Sequence, residues 1–364
     1  MPRTTYARAM VRRAFAAALA ISFCVGPAAA LTKEEIFNYR GPDREQVLIE
    51  GARKEGQVVL YSALIVNQML RPLTAGFMKK YPFLKMSHWR ADSEELIPKI
   101  SAEVRANRVM ADLFEGSGGG EIAVEAGLTQ PFSTPVLDAY PKMYLDPKGH
   151  LAPTRLSYFS IAYNTRQVLV GKVPKTYDDL LDPQWKGRMA WPYANTGRYL
   201  FMINLRLAWG EERAMEYFKK LAEQKIINFA SGSARTLVDR VIAGEYAIAL
   251  NIFAHHPLIS KAKGAPVNSR LLDPTPSTAA TMGVVKGLKH PHAAMLLIDY
   301  ILSKEGQEIL LGADYFPADP AVPPAPMLAP VVPKTAGVPE NFVGPDKLMK
   351  YTDASEEIFR TLFR

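Results

Sequence analysis

Gln-Val-Val-Leu-Tyr-Ser-Ala-Leu at 57–64, Leu-Lys-Met-Ser-His-Trp at 84–89 and Ala-Asp-Leu-Phe-Glu at 111–115 decide the fold of this chain. Each is a short run rich in apolar residues and bounded by charged or turn residues, the pattern of a buried strand. Two stretches of helical pattern lie between them. The first covers 67–80, with Pro72 disturbing its early turns. The second starts at Asp92, and Leu96, Ile97, Ile100 and Val104 then recur at helical spacing. Asp92 and Glu95 fit a capping box, and Pro98 is placed to kink the helix. Gly116-Ser117-Gly118-Gly119-Gly120 follows the third strand and leads into a helix over 121–126. The order β-α-β-α-β-α implies a parallel sheet with helices on both faces.

Outward from there, 156–164 (Leu-Ser-Tyr-Phe-Ser-Ile-Ala-Tyr-Asn) reads as a long apolar strand at mid-chain, followed by a second α/β segment. Its expected elements are a short helix at 177–181, a strand at 187–191, helices at 195–209, 211–223 and 234–243, and a strand at 246–252. A strand at 278–285 and a helix at 291–302 come next. Residues 317–345 hold nine prolines without a clear period, which suits an extended surface arm, and 351–363 closes as a helix. The fold class expected is α/β, with two lobes joined by two extended passes. The first lobe takes 31–158 and 280–364, including the arm, and the second takes 159–279. Ligands of parallel α/β sheets bind beyond the carboxyl ends of strands, where helix N-termini point. The loops there run over 62–67, 90–93, 116–119, 193–198, 231–235 and 251–256.

The first thirty residues carry Arg3, Arg8, Arg12 and Arg13, an apolar stretch over 14–25, and Ala28-Ala29-Ala30. A basic start, a short apolar run and an A-x-A site make a secretory signal peptide, cleaved near Ala30 to release a periplasmic protein. Arg12-Arg13 also resembles a twin-arginine signal. The formal charge of +8 includes those four arginines, which leaves 8 − 4 = +4 for the mature chain. No block of five or six basic residues marks a nucleic-acid surface. The single cysteine, Cys24, lies in the signal, so the mature chain has no disulfide and no thiolate nucleophile.

Tyr163-Asn164-Thr165, Pro174-x-Thr176-Tyr177-x-Asp179-Leu180 and Asp182-Pro183-x-Trp185-Lys186-Gly187-Arg188 together resemble the middle of bacterial extracellular solute-binding proteins. Ala243-Gly244-Glu245-Tyr246-Ala247-Ile248-Ala249, Gly283-Val284-Val285 and Ser303-Lys304-Glu305-Gly306-Gln307 fit as well. The likeness is to the group holding ferric-iron, polyamine and thiamine binders, and it runs from about residue 56 to 310. It implies a two-lobed, type II-like receptor that closes on a solute and delivers it to an inner-membrane ABC permease. The iron branch carries two adjacent tyrosines shortly after the Gly-Glu strand. Here Asn251 is kept, but that pair reads Phe253-Ala254, and the branch's anion-holding Ser-Gly-Arg run reads Ser157-Tyr158-Phe159. Ferric iron wants hard anionic oxygen ligands, which phenylalanine does not supply, so no metal is expected.

The candidate ligand contacts are Ser62 and Ser117 from the first lobe and Tyr193, Arg198, Ser233, Arg235, Asn251 and Phe253 from the second. Arg198 and Arg235 sit at helix starts, where the partial positive charge disfavours arginine. A guanidinium there holds a carboxylate or phosphate with two bonds. Gly118-x-Gly120-x-x-Ala123 looks like a dinucleotide fingerprint but follows the third strand rather than the first. His255 and His256, read as strand neighbours, would point to opposite faces. No H-E-x-x-H, G-x-S-x-G or phosphate loop occurs. The expectation is a monomeric, non-enzymatic receptor without a cofactor, binding a small organic anion. The alternatives are a ferric-iron receptor and an exported hydrolase or dehydrogenase.

Overall fold

The computed structural model describes residues 31–192, 196–230 and 233–363; the leader at 1–30 and Tyr193 lie outside them. Among the described residues twelve strands form one sheet. They are β1 (Gln57–Ser62), β2 (Lys85–Arg90), β3 (Leu113–Gly116), β4 (Thr129–Gln130), β5 (Leu151–Asn164), β6 (Met189–Pro192), β7 (Ile227–Phe229), β8 (Ile248–Phe253), β9 (Val267–Arg270), β10 (Thr275–Val285), β11 (Phe316–Pro317) and β12 (Glu340–Phe342). The main order is β2-β1-β3-β10-β5-β8-β6-β7. The three strands read first from the sequence lie side by side, β1 parallel to both β2 and β3. In the other half β6 runs parallel to β7 and β8.

β5 belongs to both halves. Its first part pairs antiparallel with β10 as far as Tyr158, and from Phe159 onward it pairs with β8 and β9. All fourteen of its residues are buried, which explains an apolar run without alternation. The second pass is Leu271–Pro274, between β9 and β10. β10 starts earlier than expected. Ser277, Thr278 and Ala279, assigned from sequence to the second lobe, pair with Tyr158, Ser157 and Leu156. Asn204 holds the second pass, donating to the Pro274 carbonyl at 2.9 Å and to the Tyr177 hydroxyl at 2.8 Å.

The helices follow the sequence pattern closely at Ser93–Arg105, Thr196–Trp209, Glu211–Ala222, Ala234–Ala243 and Pro291–Leu302. The expected capping box is absent. The Asp92 side chain makes no cap hydrogen bond and instead pairs with Arg90 at 2.6 Å. An ion pair with a neighbouring guanidinium has displaced the cap. Residues 66–70 form a π turn, after which Pro72 sits in the first turn of the helix Arg71–Lys80, where a missing N–H costs nothing.

The proline-rich arm packs down through Leu328 and Val331, both fully buried. The last helix, Pro345–Leu362, was expected with the first lobe. Instead it buries Phe359 and Phe363 against Trp191 of the second half, with ring centroids 5.1 and 4.7 Å away. Fully burying a phenylalanine side chain contributes about 1.5–3 kcal/mol. Burial therefore fixes where this helix docks, and the C-terminal segment adds a third crossing between the halves.

Candidate functional site

A cavity of about 450 Å³ lies where the carboxyl ends of the strands in both halves meet. Arg155 and Ser157 of β5 form its floor. Ile65, Arg90, Asp92, Ser93 and Ser117 line it from the loops after β1, β2 and β3. Ser233, Arg235, Phe253, His255 and His256 line it from the second half, and Tyr315 from the segment before β11. The helices Ser93–Arg105, Ala234–Ala243 and His255–Ala262 all open at this cavity, so backbone N–H groups and the positive ends of helix dipoles face it.

Arg155 is 5% exposed and pairs with Glu115, itself 1% exposed. Its other nitrogen donates to the Ser117 hydroxyl at 2.9 Å, and the guanidinium lies 5.1 Å from the Tyr315 ring centroid. Ser62 at 2.7 Å and Thr154 at 3.2 Å donate to the Glu115 carboxylate. Arg235 donates to the Ser260 hydroxyl at 2.7 Å and to the His256 carbonyl at 3.1 Å, and it pairs with Asp239 at 2.9 Å. These bonds hold both guanidiniums in place at the cavity wall. Burial raises the Tyr315 hydroxyl above its ordinary value.

Of the eight residues named from sequence, Ser117, Ser233, Arg235 and Phe253 line the cavity. Ser233 also caps its helix, accepting from the Thr236 N–H at 3.3 Å. Ser62 is fully buried behind the wall, where it holds Glu115. Asn251 is 5% exposed with a left-handed φ of 51° and is not one of the lining residues. Arg198 falls in the first turn of Thr196–Trp209, but its side chain, like Tyr193, lies outside what is described.

Sequence reasoning missed Arg155 and Tyr315. Arg155 adjoins the long apolar strand, and a charge at its edge reads as a strand end. The histidine reading is corrected. His255 and His256 open a helix rather than continue β8, and both line the cavity. Burial first, then His256, Arg155 and Arg235, push the His255 imidazole well below its ordinary value. Burial and Arg235 lower His256 to about 3. Among the described residues no group of three or more His, Cys, Asp or Glu is arranged to hold a metal ion.

Two α/β halves sharing long strands, with a cavity lined by charged, polar and apolar groups at the strand ends between them, define a two-lobed binding protein. Residues 110–340 match the family model of bacterial extracellular solute-binding proteins, and the chain belongs to that family. A curated Haemophilus influenzae protein of uncharacterised function is 29% identical over 272 residues, covering 71% of this chain and 76% of that one. Among solved structures, the periplasmic binding protein AfuA from Actinobacillus pleuropneumoniae, with fructose-6-phosphate bound, has a TM-score of 0.68 at 23% identity, covering 84% of this chain and 97% of that chain. Iron-bound HitA from Pseudomonas aeruginosa has a TM-score of 0.70 at 20% identity, covering 84% and 99%. Solute-binding proteins of this family are extracellular or periplasmic and deliver ligand to an ABC permease. Among the described residues no helix is long and apolar enough to cross a membrane.

Proposed function

We propose that this protein is the exported receptor of an ABC importer, binds a small organic anion between its lobes by hinge closure, and performs no covalent chemistry. The observation that carries this reading is the meeting of Arg155 from the shared strand with Arg235 from the second half across one cavity. Three helix N-termini open onto the same space. Guanidiniums and aligned N–H groups together favour carboxylate or phosphate. The relative with bound fructose-6-phosphate supports an anionic ligand. Cleavage after Ala30 releases the mature, monomeric receptor to the periplasm. Thermal denaturation against a panel of organic carboxylates and phosphates tests the reading. A bound anion raises the melting temperature, and a panel that produces no shift overturns it.

A second reading, a ferric-iron receptor using a borrowed anion, draws on iron-bound HitA. Phe253 stands against it. Tyr315 is the one tyrosine among the described residues lining the cavity, and a single phenolate is a poor ferric site.

A further inference from the structure

His255 and His256 are the groups in the cavity that the anion reading does not use. Their rings lie 4.4 Å apart at the first turn of the helix His255–Ala262. His255 is only 4% exposed. The Nδ1 atoms of both are buried and make no hydrogen bond among the described residues. A buried polar nitrogen without a partner is costly and rare in a native fold, and both histidines line a cavity of ligand size. We propose that the two imidazoles form a subsite for hydroxyl groups carried beside the ligand's anionic group, so that the solute is a hydroxylated organic anion. This rests on the anion reading above.

The groups facing the pair favour this role over anion binding by the imidazoles themselves. Arg155 and Arg235 are the charged neighbours, and Phe253, Tyr315 and Phe316 are the flanking rings, with centroids 5.5 to 6.0 Å from one imidazole or the other. Burial and the two guanidiniums keep the imidazoles uncharged at neutral pH. A neutral imidazole has one donor and one acceptor nitrogen, which suits an O–H. Asp92, paired with Arg90 at 2.6 Å, and Glu95 also line the cavity. Their carboxylates repel a bare anion but accept from hydroxyls.

Titration calorimetry at pH 7.5 with matched pairs tests the proposal: glycerate against propionate, and glycerol 3-phosphate against propyl phosphate. The hydroxylated member of each pair is expected to bind roughly tenfold tighter, the sum of two neutral hydrogen bonds. His255→Ala with His256→Ala brings that ratio close to one, whatever its effect on propionate and propyl phosphate affinity. The single variant His256→Gln, at the more exposed ring, keeps part of the preference. Equal binding within the pairs by the parent overturns the subsite and leaves the anion reading standing. So does a preference that survives in the double variant. A zinc-induced thermal shift lost in the double variant also overturns it, since the pair would then be a metal site. Silence of all four anions overturns both readings.

Discussion

Arg155 and Glu115 form an ion pair almost wholly out of solvent beside the cavity, and Arg155 alone of the two also lines it. The carboxylate compensates the guanidinium while no ligand is bound, with Ser62 and Thr154 saturating its oxygens. Removing one partner of a buried pair leaves the other charge uncompensated. Glu115→Gln is therefore expected to lower unliganded stability by about 3 kcal/mol, measured as the urea midpoint. A bound anion then replaces the missing charge. Ligand-induced stabilisation should be larger in this variant than in the parent.

In the proposed reading, Arg155 and Arg235, which line the cavity from different elements, hold the anion. Loss of one charge-assisted bond costs about 1.5–3 kcal/mol, so Arg235→Ala is expected to weaken binding of an organic anion roughly tenfold or more. Calorimetric titration checks this, and the unliganded melting temperature should fall only modestly: the Asp239 pair it loses is partly exposed, while the Ser260 hydroxyl and the His256 carbonyl each lose one donor.

Ser62 is buried behind the cavity wall. Its hydroxyl donates to Glu115 at 2.7 Å and accepts from the Leu64 N–H at 3.0 Å. Ser62→Ala should cost about 1–3 kcal/mol of stability, the penalty for unpaired buried partners, with a much smaller effect on ligand affinity. A large affinity loss with unchanged stability would show that Ser62 touches the ligand directly.

The two cavity histidines give stability a defined pH dependence. Their folded-state values lie below the unfolded value near 6.5. The unfolded chain therefore takes up protons first on acidification. Their contribution is full above about pH 6.5 and is lost as the pH falls toward about 3, the folded value of His256. The urea midpoint should fall between pH 7 and pH 5, and His255→Gln with His256→Gln should flatten that slope. His88, lowered by burial and Arg71, contributes a residual slope of the same sign.

Ferric citrate should not produce a visible phenolate charge-transfer band, because Phe253 stands where the resembling iron branch carries a tyrosine and Tyr315 is the one tyrosine among the described residues lining the cavity. Absorbance titration checks this. A band that disappears in Tyr315→Phe would favour the iron reading.

The fold was legible wherever burial and periodicity agreed. The apolar spacing of Leu237, Val238 and Val241 marked the helix Ala234–Ala243, and all three side chains are buried. The doubly buried β5 announced itself as an unbroken apolar run. The cavity was less legible, because its floor is built by long-range pairing. Arg155 meets Glu115 across 40 positions and reaches Tyr315 farther still, and no local spacing encodes that meeting. The helix His255–Ala262 was missed for a similar reason. It follows β8 without a glycine or proline to separate them, and Pro257 falls inside its first turn.

β5 runs unbroken from the ladder of one half into the ladder of the other. Neither half has a complete set of strands without it. Cutting the chain near Tyr158 would divide a single strand, leaving two fragments with open sheet edges rather than two autonomous modules. The two lobes should therefore melt together, in one calorimetric transition whose van't Hoff and measured enthalpies agree.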